Sequence, residues 1–238
     1  MGNSAAVRRP VDLLMTVVLV LLMAYFLTEQ EIHEWLGAGM LVLFIAHHIL
    51  NRKWLKALNR GKYTPFRVLQ TALVLLVLLC MLGSMLSGIW MSRYVFDFLP
   101  TQGHMGLART AHLLCAYWGF LLLSAHLGLH WGIILGVVRK AAGNRKPSAL
   151  RTVVLRVLTC GISAYGVFAF IKHQIADYLF LQSHFVFFDY EQPPVLYFLD
   201  LLAMMGLWIA LSYYLGKALR SWTGRTSHQS QISEEDKP

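Results

Sequence analysis

Six apolar runs divide the chain, at 11–28, 32–50, 68–90, 107–138, 152–172 and 195–216, with short polar stretches between them. Each approaches or exceeds the roughly 20 residues that cross about 30 Å of hydrocarbon as a helix. The pattern predicts an all-α polytopic membrane protein of about six transmembrane helices. Two of the runs carry the same polar interruption: His33 and His47 in the second, His112 and His126 in the fourth. An interval of 14 residues puts two helical side chains on nearly one face, about 21 Å apart along the axis. Spans two and four cross in the same direction, so His33 faces His112 at one depth and His47 faces His126 at another.

The chain has 238 residues, 57% of them hydrophobic and 14% charged, with a mean hydropathy of +0.53. Ordinary soluble domains lie well below this. The formal net charge of +9 is explained by placement rather than by a polyanionic partner. With the N-terminus inside, Arg8, Arg9, the cations of 51–67, those of 139–156 and those beyond 216 face the cytoplasm, 18 of 21 in all. This is the positive-inside pattern with both termini cytoplasmic, and it removes the case for nucleic acid. Cys80, Cys115 and Cys160 lie within apolar spans, are odd in number and form no CxxC pair. They read as small buried hydrophobes.

MGNSAA at the start has Ala6 where a myristoylation signal needs Ser or Thr. No small-residue cleavage pattern follows the first span, which therefore stays as an anchor. Thr28 and Glu31 have capping-box spacing and start the second helix after a very short outer turn. The basic stretch NRKWLKALNRGKYTPFR holds the inner end of that helix at the interface. Gly83, Ser84, Ser87 and Gly88 in span three form two interleaved small-xxx-small pairs, which admit a neighbouring helix or a flat ligand. Gly143, Asn144 and Pro147 mark a cytoplasmic loop. The boundaries that follow are 1–140, a four-helix bundle; 141–220, two further helices joined by the aromatic outer connection HQIADYLFLQSHFVFFDYEQPP; and 221–238, a polar tail expected to be disordered.

Each facing histidine pair would bracket a flat iron macrocycle from both axial sides, which suits electron transfer and leaves no open position for oxygen. Two haems, one outer and one inner, are the expectation. Glycines near the ligands give room for a porphyrin edge; Gly119, halfway between His112 and His126, is assigned that role, and Gly37 and Gly39 are open between it and ordinary glycine use. Arg93, Arg109 and Lys172 depart from the inside bias. Arg109 sits one turn outward of His112 and is assigned to haem propionates. Arg93 stands equally as a second propionate partner or as a snorkelling side chain. His48 lies about 60° off the face of His33 against about 40° for His47, so it stays in contention as a ligand, as does His130 deeper on span four. His104, His173, His184 and His228 fall in heads, loops or tail, where a solvated imidazole is the default.

The histidine pattern resembles membrane cytochromes b. HEWLGAGMLVLFIAHHILNRKW, ARTAHLLCAYWGFLLLSAHLGLHW and FVFFDYEQPPVLYFLDLLAM are similar to the flavinylation-associated cytochrome-b-like family, over most of the chain. The resemblance implies haem b, a bacterial cytoplasmic (inner) membrane, and electron traffic between a quinone pool and an extracytoplasmic flavin-carrying or other redox partner. The chain itself has no GxGxxG, P-loop or soluble domain for hydride chemistry. It reads as an electron-transfer subunit, or with quinone as a quinone-linked oxidoreductase. Two other classes stand beside this: a histidine-lined metal or proton transporter, which needs acids beside the histidines, and a non-redox membrane anchor. If quinol is oxidised, a proton acceptor is required; His173, His184, Asp189, Glu191 and Asp200 are outer candidates that the sequence does not rank.

Overall fold

A computed structural model of the chain describes residues 3–58, 60–61, 63–100, 103–143 and 148–235, with side chains from 7 to 224 within them. The described residues form eight helices: α1 Asn3–Met23, α2 Tyr25–Ala57, α3 Pro65–Met91, α4 Met105–Leu129, α5 Trp131–Ala141, α6 Ala149–Lys172, α7 Ile175–Leu179 and α8 Pro194–Glu235. Among them there is no strand. In lipid every backbone N–H and C=O needs an internal partner, and helices provide one within a single segment. Five helices, α2, α3, α4, α6 and α8, are long and apolar enough to cross a membrane. The sixth expected span corresponds to α1, 21 residues packed along α2; Arg8, Arg9 and Asp12 in its first half keep it outside that set.

Local chemistry accounts for most of the breaks. The outer turn between α1 and α2 reverses at Ala24 and again at Glu29, whose φ of 57° and ψ of 172° interrupt the helix. The expected capping box is not what starts α2, because the Thr28 hydroxyl donates to the Tyr25 carbonyl at 3.3 Å. Thr64 caps α3 by accepting from the Arg67 N–H, with Pro65 at the first helical position, where its missing N–H costs nothing. The run at 107–138, expected to be one span, is two helices divided at His130. Gly128 and Gly132 flank the break and weaken helix propagation there. The second piece, α5, ends on Arg139 and Lys140, cations well placed for the last turn of a helix.

α8 is the hub. It packs along α6 on one side and α4 on the other, while α3 pairs with α4 and α1 with α2. Two glycines permit the close crossings. A Cβ on Gly166 would strike the Ala203 carbonyl, and one on Gly128 would strike the Ile209 backbone and the Ser212 hydroxyl oxygen. Small residues at such crossings are the membrane substitute for a hydrophobic driving force. The main core joins Tyr117 and Phe120 of α4 to Ala169 of α6, Tyr178 and Leu179 of α7, and Leu201, Met204 and Met205 of α8. That core runs straight across the boundary drawn at 140/141. The tail beyond 220, expected to lack structure, continues α8 as helix to Glu235.

Gly166→Ala and Gly128→Ala should each destabilise the chain by about 1–3 kcal/mol through overpacking against backbone. Gly132→Ala, where the added methyl meets nothing within 4 Å, should leave the unfolding midpoint equal or higher. Thermal unfolding in detergent, followed by circular dichroism, compares the three.

Candidate functional site

The two expected histidine levels are present on α2 and α4. At the outer level the His33 and His112 ring centroids lie 6.1 Å apart, with an interplanar angle of 71°. At the inner level His47, His126, His130 and Asp12 gather; His126 and His130 have ring centroids 4.9 Å apart, and His47 and Asp12 are electrostatic neighbours of both. Between the levels lies an apolar layer in which Met40, seven residues from each α2 histidine, packs with Val18 of α1, Met81 of α3 and Leu123 of α4. The backbones of α2 and α4 are not closely packed along their length. Their histidines reach across the gap.

The hydrogen-bond network fixes the ring of His112. The Ser87 hydroxyl donates to the Gly83 carbonyl at 2.5 Å, so its oxygen is an acceptor toward His112 Nδ1 at 3.2 Å; the Ser84 carbonyl accepts from the same nitrogen at 2.9 Å. Nδ1 therefore carries the proton, and Nε2 keeps a lone pair free for a metal. The small-residue pairs of α3 thus admit a neighbouring helix. A Cβ on Gly83 would lie 2.5 Å from Cys115 Sγ, and one on Gly88 3.4 Å from His112 Cε1.

His47 is oriented in the same manner from a different helix. Its Nδ1 donates to Asp12 Oδ1 at 2.8 Å, and Asn51 donates to its carbonyl at 2.9 Å. A carboxylate behind a ligand imidazole fixes its tautomer and raises its basicity. Asp12 is a partner that sequence reasoning missed. Asp12 lies 35 residues from His47, and only the α1–α2 hairpin brings them together. His48 Nδ1 donates to the Phe44 carbonyl at 2.8 Å, and its ring packs on that of Phe44 with centroids 4.2 Å apart. His33 Nδ1 and His126 Nδ1 are buried without a hydrogen-bond partner. Among the described residues no three of His, Cys, Asp and Glu converge to hold a bare metal ion; an iron macrocycle asks the protein for only two axial ligands.

The remaining assigned residues fall as follows. Gly119 is buried on the His112 face of α4, but its room is taken by α3: a Cβ there would meet Cys80 Cβ at 3.5 Å. Gly39 lines an open apolar groove with Leu14 and Val18 of α1, turned away from His33, while Gly37 has nothing within 4 Å of an added Cβ. The Arg109 guanidinium stands 5.1 Å over the Phe185 ring of the outer connection. Arg93 is exposed, and its backbone is held by α2: the Glu34 carboxylate accepts from the N–H groups of Arg93, Tyr94 and Val95 and from the Ser92 hydroxyl at 2.7–3.2 Å. Glu34 pins the outer loop directly over His33.

Lys172 and His173 converge on Asp200, which is 0% exposed. Its carboxylate accepts from Tyr165 at 2.5 Å, Lys172 at 2.9 Å, His173 Nε2 at 2.8 Å and Gln192 at 2.9 Å. The outward lysine is thereby explained as a partner for a buried acid. Compared with known protein families, with curated proteins and with solved structures, the chain matches none.

Glu34→Ala should free the 93–95 amides and remove about 1–3 kcal/mol, as expected for charge-assisted bonds left unmade. Hydrogen exchange should rise across 92–98 and stay at the parent level in α6 and α8.

Proposed function

We propose that this chain is a membrane cytochrome b that holds two haems b, the outer iron between His33 and His112 and the inner between His47 and His126. The observation that carries this is the 6.1 Å separation of the His33 and His112 rings on two helices that are otherwise held apart. Two imidazoles bound on opposite sides of one metal ion, each through a bond of about 2.0–2.1 Å, have ring centres roughly 6.3 Å apart. The tautomer imposed on His112 by Ser84 and Ser87, and on His47 by Asp12, leaves Nε2 of each as a ligand. The partnerless buried nitrogens of His33 and His126 fit the same purpose.

Haem iron with two imidazoles supplies one-electron transfer. The chain's own part is to set the two levels, keep them apart with the Met40 layer and exclude water. Arg109, and Arg93 on the loop that Glu34 secures, offer the cations that outer propionates would take. The resemblance to flavinylation-associated cytochromes supports a place in a bacterial cytoplasmic membrane, with both termini inside. Electrons would pass between quinol and an extracytoplasmic redox partner such as a flavin-carrying protein. The Asp12–His47 contact favours a second reading, a proton or metal path lined by His47, His126 and His130. Colour separates the two.

The purified chain should contain about two haems b by pyridine haemochrome assay. His33→Ala and His112→Ala should remove one spectral component, and His47→Ala and His126→Ala the other. A colourless protein expressed with ample haem, or unchanged spectra in all four variants, defeats the assignment. Asp12→Ala should weaken retention of the inner haem by about 10–100-fold, the usual cost of losing a carboxylate behind a ligand histidine, and spare the outer one.

A further inference from the structure

The cluster around Asp200 adjoins a cavity that the paired histidines do not use. It is walled by Tyr117 and Phe120 of α4, Tyr178 of α7, Phe188 of the outer connection, and Tyr197 of α8, with His173 at its edge. As it stands the cavity has about 20 Å³ for water centres, room for about one water. Its roof is the segment 181–190, through Val186, Phe187 and Phe188. The left-handed φ of Gln174 (50°) and Leu181 (54°), both non-glycine, brackets α7 beside that roof. Such conformations cost about 1–3 kcal/mol each and are typical of segments that move.

We propose that this cavity, opened by outward movement of 181–190, binds the ring of a hydroquinone and that His173 accepts the proton of its hydroxyl. The walls are aromatic and apolar, which suits a flat ring arriving from lipid. The His173 imidazole points one nitrogen at Asp200, where Nε2–H donates at 2.8 Å. Its Nδ1 is then the unprotonated nitrogen, a base whose tautomer the buried carboxylate holds. Lys172 donates to the same carboxylate at 2.9 Å, so Asp200 already carries a cationic partner and the proton is taken by the imidazole. Tyr117 lies five residues past His112 on α4, about 7.5 Å along the axis. A single helix thus separates the cavity from the outer imidazole pair.

The site rests on the electron-transfer reading, and its step balances. Both O–H bonds of the hydroquinone break and the ring becomes a quinone. One proton goes to His173 Nδ1, and the second follows once the first has left to outer water. The two electrons would leave singly to the haem pair that His33, His112, His47 and His126 would hold, whose one-electron chemistry would take them.

The test uses the full chain in lipid nanodiscs, with and without haem, and photoreactive azido derivatives of a benzoquinone and a naphthoquinone. Labelling should map to the cavity walls, 117–120 and 173–201, in both haem states and be displaced by excess decyl-ubiquinol or menadiol. Val186→Trp, which fills the cavity from the loop side, should cut labelling at least about tenfold. His173→Gln keeps a donor toward Asp200; it should retain labelling and the dithionite-reduced spectrum while slowing quinol-driven haem reduction about 10²-fold, the scale of a lost general base. Labelling elsewhere, indifference to Val186→Trp, or parent-rate reduction in His173→Gln overturns the site. A colourless chain still labelled at those walls upholds the binding site and overturns the conduit; a haem-loaded chain left unlabelled overturns the site alone.

Discussion

An imidazole buried in a membrane protein has two nitrogens, and each needs a hydrogen bond or a metal. Most of this architecture follows from how that requirement is met. α3 approaches α4 closely enough, through Gly83 and Gly88, for the Ser84 carbonyl and Ser87 hydroxyl to hold His112 Nδ1. α1 folds back along α2 so that Asp12 can hold His47 Nδ1. In both cases the hydrogen bond to Nδ1 leaves the second ring nitrogen its lone pair. Two helices carry the imidazoles, and two others aim them.

The same economy governs the outer surface. Glu34, next to His33 in sequence, gathers three backbone amides and a hydroxyl from the loop after α3. The loop after α3 is therefore held by the helix that bears one of the histidines. On the other side of α4, Asp200 draws Tyr165, Lys172, His173 and Gln192 together and ties α6 to α8. A buried carboxylate with four donors is well satisfied, and removing Lys172 would take away its cationic partner. α4 stands between these two polar centres, histidines on one face and Tyr117 on the other. In the proposed function that position makes it the shared wall of haem and quinol sites.

Helix packing also explains where expectation and structure part. Gly119 has the spacing of a porphyrin cradle, yet α3 fills its space with Cys80. Past Arg109 the run at 107–138 carries no charge to mark an end, and the break at His130 falls between Gly128, where α8 crosses, and Gly132. The division at 140/141 follows a polar loop, whereas the core follows α8, which returns to pack on α4.

Read alone, the residues determined the helical class, the approximate spans and the two-level histidine pattern. Hydropathy and the 3.6-residue period are local properties, and the 14-residue interval repeats within single helices. The ring orientation of His112 and His47, the contact of Asp12 with His47, the clamp of Glu34 and the convergence of His173 on Asp200 were decided only by tertiary structure. Those contacts join residues 25 to 61 positions apart on different elements of the fold. Their partners are selected by interhelical approach within a lipid-filled plane, where an unpaired polar group costs several kcal/mol and hydrophobicity no longer distinguishes one face from another.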